Sequence, residues 1–148
     1  MIIGFLAFMV CLAIILALWE IQIEGKDGWA ANLPGWRLEK GWLVKVTGGR
    51  PITGYHLFMT LFLMAVVHLP LFFIAWSWRL EFLLFGFYLG MVLLEDFLWF
   101  VFNPYYGIKN FRKGKIWWHK MWWGPVPALY WILLTFAILL FYFGWMAI

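Results

Sequence analysis

The sequence predicts an all-α integral membrane protein, with four transmembrane helices in one bundle and both termini on the outer side. Three observations carry this expectation. Of the 148 residues, 66% are hydrophobic and only 12% charged, whereas about a quarter of a soluble domain is charged. So small a globule leaves much of its surface exposed and cannot hide that apolar excess, so lipid is the natural solvent. The apolar residues fall in four stretches long enough to cross ~30 Å of hydrocarbon, and the basic residues gather between them.

The first stretch, Ile2–Ile23, has no charge before Glu20, and about 22 residues at 1.5 Å each give ~33 Å. No basic segment precedes it, which argues against a cleaved signal peptide. Glu20 and Glu24 lie four apart, on one face of its last turn. Cys11 lies inside the stretch and reads as a small buried apolar residue with no thiol partner.

Residues 24–53 form the first loop. Trp29, Trp36 and Trp42 are spaced along it, as suits a segment lying in the headgroup layer. Leu43–Val46 followed by Thr47-Gly48-Gly49-Arg50-Pro51 has the composition of a short hairpin. The second stretch, Gly54–Trp78, holds His56 at its start, His68 near mid-membrane and Pro70. Proline removes one amide and frees the carbonyl of Val66, so a kink is expected there. A tight outer turn at 78–81 places Arg79 and Glu81 within pairing distance of each other.

The third stretch, Leu80–Phe102, carries adjacent acids, Glu95 and Asp96, and ends at Asn103-Pro104, where the residue before proline leaves the helix. Residues 103–125 form a basic, tryptophan-rich loop containing Lys109, Arg112, Lys113, Lys115 and the run Trp117-Trp118-His119-Lys120-Met121-Trp122-Trp123, which suits a headgroup anchor. Prolines at 125 and 127 open the fourth stretch, Val126–Ala147, as proline does in a first turn.

Each long loop holds five Lys or Arg, and the turn at Arg79 holds one. This bias makes the loops cytoplasmic and places the protein in the cell membrane as a multi-pass chain. Basic residues confined to such loops meet lipid headgroups, which excludes a nucleic-acid partner.

Acids inside hydrocarbon are costly and mark function by default. Rise per residue puts Glu20, Glu24, His56, Glu95, Asp96, Asn103 and His119 in one cytoplasmic-side layer. Carboxylates and imidazoles on facing helices hold divalent transition metals such as Zn, Fe or Mn. The expected metal ligands are Glu20, His56, Asp96 and His119, with Glu95 and Asp96 as the catalytic acids. These two are about 100° apart around their helix and need not face one point. Lys109, Arg112, Lys113, Lys115 and Lys120 are the expected lipid- or anion-binding cations.

The function expected is therefore a metal-binding membrane enzyme acting on a lipid or other hydrophobic substrate. A plain structural role is the competing reading, with Glu95 or Asp96 paired to loop cations and His68 bonded to the carbonyl that Pro70 frees. The chain would then be an accessory subunit, packed on other membrane subunits or on itself. A small proton-coupled transporter is the third class, although Glu20 stands near the end of its span rather than the middle.

Overall fold

The computed structural model describes residues 2–146 and is mostly helical. Three helices are long and apolar enough to cross a membrane. They are α1 (Ile2–Glu24), α4 (Trp78–Phe102) and α5 (Ala128–Met146), and between them lie α2 (Trp42–Val46) and α3 (Gly54–Val67). Helix α5 starts two residues after the expected Val126, and residue 147, the expected end of the fourth stretch, lies outside the described residues.

Helix α4 is the axis of the molecule, with α1 packed along one side and α5 along another. Its ends are set locally. Ser77 Oγ accepts the amide of Leu80 at 3.2 Å, a side-chain cap that starts the helix two residues before the expected Leu80. Asn103 leaves the helical region ahead of Pro104, as expected. Small residues let the helices approach closely, as in other membrane bundles. A Cβ on Gly144 of α5 would lie 2.8 Å from Leu83 Cδ2, and one on Gly90 would lie 2.9 Å from Met9 Sδ. Ala13, Leu16, Phe87 and Met91 form the core between α1 and α4, while Ile3, Phe8, Ile15, Phe136 and Phe143 point outward. Cys11 is exposed on that outer face, contrary to the buried position expected for it.

The stretch 54–78 is not one kinked helix. Helix α3 stops at Val67, and a 3-10 turn, Leu69–Phe72, follows it. The ring of Pro70 excludes continuation of the α-helix. The imidazole of His68 does not bond the Val66 carbonyl. Its Nδ1 lies 2.7 Å from the carbonyl of Met64, and its Nε2 lies 3.2 Å from Glu81 at the turn. Arg79 does not pair with Glu81; its Nε donates to the carbonyl of Gly144 at 2.9 Å.

Both long loops fold onto the same end of the helices. The expected hairpin at 43–51 is absent: Trp42–Val46 is helical, and β1 (Arg37–Leu38) instead pairs antiparallel with β2 (Ile52–Thr53). In the second loop, β3 (Trp122–Trp123) pairs with β4 (Val126–Pro127) across a turn at Gly124. Beneath the loops lies a second core of Ile21, Trp99, Phe100, Ile116 and Trp118. The tryptophan run is therefore divided, with Trp118 in the core and Trp123 and Met121 exposed.

Candidate functional site

The acids and imidazoles expected in one layer do meet at the loop end, around a cavity of about 540 Å³. They form two groups on facing walls rather than one four-ligand centre.

The first group joins α1 to α3. Glu20 and Glu24, one turn apart, face His56 on the first turn of α3. His56 Nε2 lies 3.3 Å from Glu24 Oε1 and 3.7 Å from Glu20 Oε1. One ligand atom from each of the three lies within 4.8 Å of the others, close enough to share a metal ion. The ring is fixed from behind. Its Nδ1 lies 2.6 Å from the hydroxyl of Thr53, the residue that caps α3, and Trp29 stacks on its face at 4.0 Å. With the proton on Nδ1 and donated to Thr53, Nε2 is left as a ligand, the usual role of a partner behind a metal-binding imidazole. Glu24 also accepts the amides of Trp29 at 2.9 Å and Ala30 at 2.5 Å, so it shapes the loop as well as facing the histidine.

The second group joins α4, the second loop and α5. Asp96 Oδ2 lies 3.3 Å from His119 Nε2 and accepts the hydroxyl of Tyr130. The His119 side chain is only 2% exposed. Arg50, from the first loop, is the cation whose charge reaches this group. Its guanidinium stacks on Trp29 at 4.7 Å. Burial pushes Arg50 below its ordinary range, against the opposing pull of Asp96 and Tyr130.

Glu95 stands between the groups. It is buried, and its carboxyl faces that of Glu20. No lysine or arginine pairs with it or with Asp96 among the described residues, unlike the ion pairs of the purely structural reading. Four buried polar atoms lack hydrogen-bond partners among the described residues: Glu20 Oε1, Glu95 Oε1, Tyr55 OH and Trp99 Nε1. All four belong to residues at this end of the bundle. Orphaned polar atoms are few in folded proteins, and their concentration at one place calls for a reason.

No protein family, curated protein or solved structure matches this chain. Its chemistry therefore has to be read from the geometry alone.

Asn103, also expected in the layer, turns away from the cavity to organise the loops. Its Nδ2 donates to the carbonyl of Gly25 at 2.8 Å, and its Oδ1 accepts the amides of Tyr105 and Tyr106 at 3.0 Å. Lys109, Arg112, Lys113, Lys115 and Lys120 are exposed and do not line the cavity. Three participants were not singled out as site residues from sequence: Tyr130, Arg50 and Trp29. Arg50 sits in a Gly-Gly-Arg-Pro turn, where a cation reads simply as a topology signal. Tyr130 stands in an apolar run, where a tyrosine carries no local signal of a site.

Proposed function

We propose that the chain is a four-span membrane protein with cytoplasmic loops, in which α3 and its 3-10 turn complete the fourth crossing. It binds a divalent transition metal at Glu20, Glu24 and His56 and acts on a hydrophobic molecule held in the adjoining cavity. The observation that carries this reading is the Glu20–Glu24–His56 cluster, three ligand atoms within 4.8 Å of one another, opening on a pocket whose other walls are largely hydrocarbon. The lone Glu20 and Glu95 oxygens support it, since a buried carboxylate without a donor is stabilised by a cation.

Three protein ligands leave coordination positions for an oxygen of water or substrate, as in catalytic rather than structural metal sites. Across the cavity, His119 is held by Asp96 and is placed to take or return a proton. Tyr130 donates to the same Asp96 oxygen that faces His119 and fixes its orientation. Lys109, Arg112, Lys113, Lys115 and Lys120 hold the loop on anionic headgroups of the bilayer.

The test is metal content after purification in mild detergent, loading with Zn, Fe or Mn, and desalting. Wild-type protein should retain about one equivalent, and Glu20→Gln and His56→Ala should retain almost none. Wild-type protein that holds no metal and whose stability a chelator leaves unchanged would remove the reading.

A further inference from the structure

The cavity has an aromatic cover on part of its loop side and an apolar seam on its flank. On the loop side, Trp29 lies flat on His56, Arg50 lies over Trp29, and the Trp29 indole donates to the carbonyl of Pro51 at 2.8 Å. Gly28 fits so tightly below Trp118 that a Cβ there would meet Trp118 Cη2 at 2.5 Å. On the flank, α3 and α5 both border α4 but make little or no contact with each other. The gap between them is lined by Leu57 and Thr60 of α3, Leu93 of α4, and Leu129 and Leu133 of α5. A polar molecule has no reason to cross such a seam, whereas a hydrocarbon chain already dissolved in the bilayer enters without leaving its solvent.

Charge selects what the chain can carry at its head. Glu20, Glu24, Glu95 and Asp96 all line the cavity, and among the described residues Arg50 is the one lysine or arginine that does so. Glu20 Oε1 and Glu95 Oε1 are buried acceptors without hydrogen-bond partners among the described residues, and a hydroxyl supplies the donor that an ionised head does not. A phosphate or carboxylate head would set its own negative oxygens against those acceptors in a low-dielectric site. The five cations of the second loop do not line the cavity and offer it no compensation.

We infer that the ligand is a long-chain neutral lipid, bearing an uncharged oxygen function such as a hydroxyl or carbonyl. It slides in from the bilayer between α3 and α5, with its polar end stopping among the carboxylates. This rests on the cavity being the substrate pocket proposed above, and metal content keeps the two ideas separate.

The experiment uses full-length protein in lipid nanodiscs and a long-chain alcohol carrying a diazirine in its chain, with peptide mapping after irradiation. Label should appear on Leu57, Leu93, Leu129 and Leu133. It should be competed by unlabelled alcohol at concentrations about tenfold or more below those at which the alkyl phosphate of equal length competes. Leu133→Trp and, separately, Leu57→Trp should suppress this saturable labelling while metal content stays at the wild-type level. Equal or better competition by the alkyl phosphate overturns the inference. So does labelling that neither competitor reduces, or that both tryptophan variants leave intact in protein of normal metal content. Loss of metal binding in the wild type with retained, competable labelling would sink the metal reading and leave this one standing.

Discussion

Replacing Asn103 by alanine tests how the roof of the site is held. The side chain is 1% exposed and makes three hydrogen bonds, one to the first loop and two to the second. Tyr105 is exposed, so water can replace the bond to its amide. The carbonyl of Gly25 and the amide of Tyr106 are the groups left stranded. At ~1–3 kcal/mol for each buried polar group without a partner, Asn103→Ala should cost about 2–6 kcal/mol. For a chain of this length that corresponds to a fall in Tm of roughly 4–24 °C in a fixed detergent. Circular dichroism melting and titration with SDS both read it. Asn103→Asp is the diagnostic partner. It keeps an oxygen for the two amides but sets a carboxylate oxygen against the Gly25 carbonyl, so its protonated form is favoured in the fold. Its folded pKa is thereby raised, and the stability lost at neutral pH should return as pH falls through that value. A cost below about 0.5 kcal/mol for Asn103→Ala, or an Asn103→Asp variant indifferent to pH, would refute the reasoning.

Two further outcomes are expected. Gly28 has φ +63°, and a methyl there would strike Trp118 and Trp99, so Gly28→Ala should destabilise by about 1 kcal/mol or more and shift tryptophan emission to the red. An unchanged spectrum would mean that the roof yields to a methyl at this position. Tyr130→Phe removes the hydroxyl that Asp96 accepts and should cost about 1–2 kcal/mol by thermal melting. It should leave metal content intact because Tyr130 is not among the three ligands, and a metal-free Tyr130→Phe protein would mean that the two groups form one centre.

The long helices were legible because their signals are local. Ser77 caps one end of α4 and Asn103-Pro104 closes the other, and each acts within a turn of itself. The layer of acids was legible too, since height along a helix follows from counting residues. Azimuth was legible only within an element. The spacing of Glu20 and Glu24 puts them on one face, and the ~100° between Glu95 and Asp96 separates them, as the two walls of the cavity do. What pairs across elements was not written locally. Tyr130 meets Asp96 only because α5 packs along α4, and Arg50 reaches the site only because the first loop folds back over α3. The end of α3 was misjudged for an energetic reason. An apolar run reads as a continuous span, whereas Pro70 ends this helix and His68 finds a better bond at Met64 and Glu81 than at the freed carbonyl.

The early end of α3 bears on the lipid around the protein. Its 14 residues supply only ~21 Å of regular helix against a ~30 Å hydrocarbon layer. Beyond the 3-10 turn, the amides of Ala75 and Trp76 find no backbone acceptor among the described residues, so water or headgroups have to reach them. On the four-span reading proposed above, the four residues of the 3-10 turn at ~2 Å each only just carry the chain to the leaflet opposite the loops, so a thicker bilayer would be drawn inward beside α3. The protein should therefore partition toward thin bilayers and be most stable when reconstituted in them.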